Sequence, residues 1–203
     1  MISFSMNTSN IQDNQKSLKI NSVKTLYHGT NVRFNTIDLK QCNRFKDFGQ
    51  GYYLTTDLRQ AQRWAQIKAG DTQTAYIYSY NLATPVSSDL KILELLEYNS
   101  CWVEFIVQSR FYGKETDYDI IYDRIADNRG VYISQMLERS MLHTADAEEV
   151  IEHIKWKQGA GDQYCFKTAS ALSLLINERC YITYRDNKGR WRKPVKLEGD
   201  EYV

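Results

Sequence analysis

From Val23 onward, short apolar runs alternate with polar intervals in a way that interleaves strands and helices. Val23 to His28 reads as a short strand ending at Gly29, and polar residues dominate from there to Gly51. Tyr52, Tyr53 and Leu54 give a second strand. Thr55, Thr56 and Asp57 follow as capping residues, and Leu58, Ala61, Trp64, Ala65 and Lys68 recur at helical spacing until Gly70 supplies a stop. Ala75 to Leu82 alternates as a strand, with Tyr76, Tyr78 and Tyr80 on one face and Ala75, Ile77 and Ser79 on the other, and Pro85 closes it. Leu90 to Glu97 and Ser100 to Tyr112 read as helices, the second gathering Trp102, Phe105, Ile106 and Ser109 on one side. Tyr118 to Ile125 is a mixed apolar and acidic strand. Ile133 to His143 and Ala145 to Trp156 are helical, the latter carrying a stripe of Ala147, Val150, Ile151 and Ile154. Gln163 to Phe166 reads as a buried strand, and Thr168 caps a helix running through Leu175. Cys180 to Arg185 and Trp191 to Val195 form a hairpin around Asn187, Lys188 and Gly189.

Residues 1 to 22 stand apart, rich in Ser, Asn and Gln with too few apolar residues to bury a face. They read as a flexible polar leader, either a disordered tail or a non-cleaved secretion signal of the kind used by contact-dependent injection systems. Residues 23 to 203 then form a single domain, within the size one hydrophobic core supports. The supply of core residues is ample, with 42% hydrophobic and 13% aromatic positions, 15 of them Tyr. The 26 Lys and Arg nearly balance the 25 Asp and Glu, so no global field recruits nucleic acid or anionic lipid. No apolar run approaches the roughly 18 residues of a membrane span, which points to a soluble chain without a Sec-type signal. Cys42, Cys101, Cys165 and Cys180 lack metal-ligand spacing and read as buried thiols of a reducing compartment. His143 and His153 have no third ligand close by, so no metal is expected. Six basic residues of the closing hairpin, Arg185, Lys188, Arg190, Arg192, Lys193 and Lys196, face only Asp186. That excess suits a phosphate or an acidic surface as well as it suits a solvated edge strand.

The informative feature is an ordered set of motifs. Leu26-Tyr27-His28-Gly29-Thr30 comes first, then Gly49-Gln50-Gly51-Tyr52-Tyr53-Leu54-Thr55-Thr56-Asp57, then Trp64 eleven positions after Tyr53, and finally Asp162-Gln163-Tyr164. In this order and spacing the chain resembles the ADP-ribosyltransferases of the His-Tyr-Glu type, which include diphtheria toxin and the poly(ADP-ribose) polymerases. Within that clan it is similar to a bacterial family of unassigned function marked by Tyr-His-Gly, Asp-Phe-Gly-x-Gly-Tyr-Tyr-Leu-Thr-Thr, a Trp102 to Arg110 motif, an acidic Asp-Ile-Ile segment and Gln-x-Cys-Phe. The resemblance spans roughly residues 24 to 176.

The resemblance implies an α+β fold, an ADP-ribosyltransferase-like split β-sheet core with peripheral helices around an NAD cleft. It implies a mono-ADP-ribosyltransferase that cleaves NAD at the nicotinamide glycosidic bond and passes ADP-ribose to a macromolecule. A protein side chain is the favoured acceptor, a host target such as a ubiquitin threonine being conceivable; nucleic acid is an alternative acceptor, and no membrane partner is expected. By resemblance, His28 hydrogen-bonds the adenosine ribose, the Gly29 backbone holds the nicotinamide amide, and Tyr53 and Trp64 clamp the nicotinamide ring. Thr30, Gly51 and Thr55 in the same motifs count among the NAD-contacting residues. Gln163 stands where the archetype has the Glu that grips the ribose 2′-hydroxyl; it accepts the same hydrogen bond but carries no charge. The missing charge has three answers: a carboxylate from elsewhere (Asp119, Asp123, Asp127 or Asp162), slow but sufficient transfer, or binding of NAD without turnover. Asp127 or Asn128 is assigned to orienting the acceptor or the ribose, against the alternative of a solvated Asp-Asn-Arg-Gly turn.

Overall fold

The computed structural model describes residues 18–72, 74–124, 135, 138–139, 146–154 and 161–197. The described elements are β1 (Thr25–Thr30), β2 (Tyr52–Leu54), α1 (Leu58–Ala69), β3 (Thr74–Leu82), β4 (Ile92–Leu95), α2 (Ser100–Tyr112), β5 (Ile120–Arg124), α3 (Ala147–Ile154), β6 (Asp162–Phe166), α4 (Ala169–Leu172), β7 (Leu175–Tyr184) and β8 (Val195–Lys196). The strands form two four-stranded sheets, ordered β1-β3-β7-β8 and β2-β6-β5-β4. Only β4 and β5 run parallel; the other neighbours are antiparallel. The class is α+β, and no helix among the described residues is long and apolar enough to cross a membrane.

The alternation in β3 places this strand at the centre of its sheet. Tyr78 and Tyr80 bury their rings in the core shared with Tyr52, Leu54 and Tyr164 of the second sheet. Ala75 and Ile77, pointing the other way, are closed over by Ala61, Ala65 and Ala69 of α1. Asp57 caps α1 by accepting from the Arg59 N–H, and Gly70 ends it. The small alanine face lets α1 lie against β1 so closely that a Cβ on Gly29 would stand 1.9 Å from the Ala61 carbonyl oxygen. A third core, of Phe48, Leu93, Trp102, Val103, Phe105, Ile106, Ile121 and Val150, joins α2 and α3 to the second sheet.

Several sequence expectations change. Leu90 to Glu97 is not a helix: Ile92–Leu95 is strand β4, paired with β5. The Asp119 carboxylate takes the Lys91 N–H at 2.8 Å and starts the segment along the edge of β5. A short apolar run carries no period that separates strand from helix, and here the open sheet edge decided. Leu58 is exposed rather than part of the buried stripe of α1. The helix capped by Thr168 ends at Leu172, because Leu175 already pairs with Leu82 in β7. Cys101 is exposed, whereas Cys165 is buried and Cys42 and Cys180 are half-buried; all four are free thiols. Residues 18 to 22, read as the end of the leader, belong in part to the core, since Ile20 is 0% exposed and its N–H donates to Glu94 Oε1. Residues 1 to 17, most of the stretch from Ile133 to His143, and the pair Asp127 and Asn128 lie outside the described residues.

Replacing Gly29 by Ala forces β1 and α1 apart along the alanine face. Gly29→Ala is expected to lower unfolding free energy by about 3 kcal/mol or more, the scale of a backbone displacement in a packed core. Urea denaturation read by tyrosine and tryptophan fluorescence checks this, and an unchanged midpoint would refute the close packing.

Candidate functional site

The two sheets meet through β1 and β2. Tyr27 and Thr55 exchange both backbone hydrogen bonds, at 2.8 and 2.9 Å. In an antiparallel ladder the next such exchange would join Gly29 to Tyr53, two residues further along each strand. It does not form. His28 Nδ1 instead donates to the Tyr53 carbonyl at 2.7 Å, and Lys68 Nζ donates to the Gly29 carbonyl at 2.9 Å. Two side chains therefore stand where the ladder would have continued, and the strands part around a cleft of about 750 Å³. By strand alternation the Gly29 N–H and C=O both point across this gap.

A carbonyl only accepts, so the His28 contact fixes the proton on Nδ1 and leaves Nε2 as an acceptor. The ring is stacked on Tyr52 at 4.3 Å and flanked edge-on by Phe34. Burial among these groups, reinforced by the Lys68 charge, lowers its pKa to about 3 against the opposing pull of the Tyr53 carbonyl. His28 is neutral in this site. Lys68 is itself lowered from its ordinary value, first by burial and then by Lys46, with Cys42 acting the other way.

Tyr53 lies parallel to Phe48 with its hydroxyl donating to the Gly49 carbonyl and accepting from the Phe48 N–H. Burial raises its pKa well above the ordinary value, so it offers the cleft a ring and not a proton. Trp64, on α1, is 37% exposed and also lines the cleft. Thr30 accepts from the Val32 N–H, and the Thr55 hydroxyl is held by Asp162 and the Asp57 N–H. Gly51 also lines the cleft, but what requires glycine there is Cys165, whose Sγ would lie 2.3 Å from an added Cβ. Burial pushes that thiol up to about 12.

Gln163 reaches the cleft from β6, and its Nε2 donates to Asp47 Oδ2 at 3.3 Å. The other oxygen of Asp47 accepts from Arg110 Nε in a close ion pair. Of the carboxylates proposed to supply the charge that Gln163 lacks, Asp162 is committed elsewhere: it receives Thr55 Oγ1, the Thr56 N–H and Thr56 Oγ1, tying β6 to the start of α1. Asp119 sits at the far end of β5, holding the Lys91 N–H and the Thr168 hydroxyl. Asp123 lies opposite Gln163 in the β5–β6 register, is 1% exposed, and accepts from Trp102 Nε1 at 2.6 Å. Asp127 and Asn128 lie outside the described residues.

Sequence reasoning missed Asp47, Lys46 and the roles of Lys68 and Arg110. Asp47 opens the Asp-Phe-Gly-x-Gly motif and Arg110 closes the Trp102 motif, a signal available in the sequence but indistinguishable there from loop and helix surface. The loop that carries Asp47 is pinned by Lys167, whose side chain is 4% exposed and donates to the Phe48 and Gln50 carbonyls and to Glu115. The basic hairpin does not line the cleft; Asp186 pairs with Arg190 and Arg192, and Arg185 lies over the Trp191 ring. Among the described residues no three His, Cys, Asp or Glu side chains gather as a metal site requires.

His28 gives a pH prediction. Its folded pKa of about 3 lies below the unfolded value, so its contribution to stability is complete above about pH 6.5 and is lost as pH falls from there toward 3. Its imidazole resonances are expected to stay unshifted from pH 7.5 to 4.5 in an NMR titration, and a midpoint near 6.5 would contradict the assignment.

No curated protein and no solved structure matches the chain. Residues 24–176 match the family described as "Protein of unknown function (DUF3990)". Most of the chain, from β1 to the first residues of β7 and including every cleft residue named above, falls inside that span, and the chain belongs to this family.

Proposed function

We propose that the cleft binds NAD and that the protein is a mono-ADP-ribosyltransferase, releasing nicotinamide and passing ADP-ribose to a macromolecular acceptor, a protein side chain first. The observation that carries this reading is the interrupted β1–β2 ladder, which leaves the N–H and the Lys68-held C=O of Gly29 facing a cleft that Tyr53 and Trp64 also line. A backbone donor and acceptor on one residue match a carboxamide, and two aromatic side chains at the same gap suit a cationic pyridinium. Neutral His28 presents Nε2 to a ribose hydroxyl. Lys68 exchanges the Gly29 carbonyl for the diphosphate, joined by Lys46, so the cation leaves the place a positively charged ring takes. Gln163 accepts the ribose 2′-hydroxyl through Oε1, the oxygen turned away from Asp47.

A second reading is a module that binds NAD or ADP-ribose without turnover. It is favoured by the neutrality of Gln163 and by the Arg110 contact that offsets the Asp47 charge. Purified protein incubated with labelled NAD and a cell lysate, with and without protease and nuclease, separates the two. Transfer predicts nicotinamide release and label on protease-sensitive bands. Binding with no release over hours supports the module, and label lost only to nuclease moves the acceptor to nucleic acid.

Under the transferase reading Gln163→Ala lowers kcat by about 100-fold, the scale of one preorganised contact to a developing charge. Trp64→Ala raises KM by about 10-fold with a smaller effect on kcat, as expected for a stacking wall. Steady-state nicotinamide release reads both, and a Trp64→Ala effect confined to kcat would count against the clamp.

A further inference from the structure

Three elements converge behind Gln163: the loop between β1 and β2 brings Asp47, the last turn of α2 brings Arg110, and β6 brings Gln163 itself. Each oxygen of the Asp47 carboxylate accepts from a different donor, Oδ1 from Arg110 Nε and Oδ2 from Gln163 Nε2. We propose that Asp47, held by Arg110, is a positioning residue that selects the orientation of the Gln163 amide and so presents Oε1, not Nε2, to the substrate. This rests on the NAD reading above.

Donors and acceptors decide the orientation. The two ends of an amide are nearly the same size, so packing alone does not choose between them; a carboxylate beside one end does, because it only accepts. No donor among the described residues meets Gln163 Oε1, which leaves that atom for a hydroxyl. Asp47 in turn needs its own constraint, and the ion pair with Arg110, about a quarter exposed on both partners, supplies it. Lys167 holds the neighbouring Phe48 and Gln50 carbonyls, which keeps the loop backbone in place whichever side chain occupies position 47.

Exchanging donors for acceptors separates this role from a merely structural one. Asp47→Asn offers one acceptor and one donor to two donors, so either Arg110 or Gln163 meets an N–H. Gln163→Glu sets one acceptor against another. Made together, the two changes restore the match: the new amide oxygen at position 47 accepts from Arg110, and the new NH₂ there donates to the carboxylate at position 163. The double variant then carries a charged oxygen where the unaltered protein has an amide oxygen.

Nicotinamide release from NAD, NAD affinity by calorimetry and melting temperature are measured for the four proteins. Each single change is expected to lower kcat by about 30- to 100-fold with KM within about threefold, and the double variant to return to within about fivefold of the unaltered protein or to exceed it. The melting temperature is expected to fall by about 3–6 °C in each single variant and to recover to within about 2 °C in the double. Losses that add in the double variant, in kcat and in melting temperature, would overturn the proposal. Should the unaltered protein bind NAD but release no nicotinamide, the transferase reading fails, and the melting cycle still decides this inference: recovery supports the donor–acceptor match and additivity overturns it.

Discussion

The antiparallel exchange between Tyr27 and Thr55 stops after one step, and most of what surrounds the cleft follows from how that stop is stabilised. A strand pair that ends within a folded domain leaves carbonyls facing a gap, and each such group costs about 1–3 kcal/mol if nothing donates to it. Here His28 and Lys68 donate to the carbonyls of Tyr53 and Gly29, so the gap persists without that penalty. Neither side chain would reach without its support. His28 is wedged between Tyr52 and Phe34, and Lys68 arrives because α1 packs its alanines directly on β1 and β3. The far side of the hinge is closed by Asp162, which holds the Thr55 and Thr56 hydroxyls at the turn from β2 into α1.

The groups that keep the cleft open also set its electrostatics. Lys46, Lys68 and Arg110 line it together with Asp38 and Asp47, so cations outnumber anions while the chain as a whole is nearly neutral. Arg110 and Asp47 act as a dipole whose field falls off quickly, leaving the two lysines, set against Asp38, as the longer-ranged charge. The burial of Lys68 and, after it, the Lys46 charge lower its pKa while it holds the Gly29 carbonyl. His28, neutral from its own burial and the nearby ammonium, adds an acceptor without adding charge.

Much of this was readable in the sequence. The caps at Asp57 and Thr168 and the stop at Gly70 stand where the sequence puts them, while the Asn99 cap and the Gly113 stop of α2 came only with the structure. The tyrosine alternation in β3 identified a strand, and the structure shows both of its faces covered. What was not readable depended on partners far away in the chain. Ile92–Leu95 became a strand because β5 offered an edge, a fact absent from its own short window of sequence. Asp162 looked like a spare carboxylate beside Gln163 and is a clamp, because β6 begins next to the cap of α1. Asp47 carried the reverse error: in a polar loop it has no period and no cap to mark it, and only the convergence of β6 and α2 gives it a partner.

That convergence accounts for an amide where the resembling enzymes carry a carboxylate. Position 163 faces Asp47 across the cleft and Asp123 across the β5–β6 ladder, where opposed side chains stand about 5 Å apart. A carboxylate there would set acceptor against acceptor beside Asp47, and like charges at this spacing repel. Glutamine avoids the conflict because it donates to Asp47 with one end and keeps an acceptor at the other. Under the transferase reading proposed above, the negative charge is then one hydrogen bond further from the reacting centre, carried by Asp47 and relayed as polarisation of the amide. On that reading the arrangement gives up part of the electrostatic stabilisation a direct carboxylate would provide and gains an acceptor whose orientation is fixed before substrate arrives.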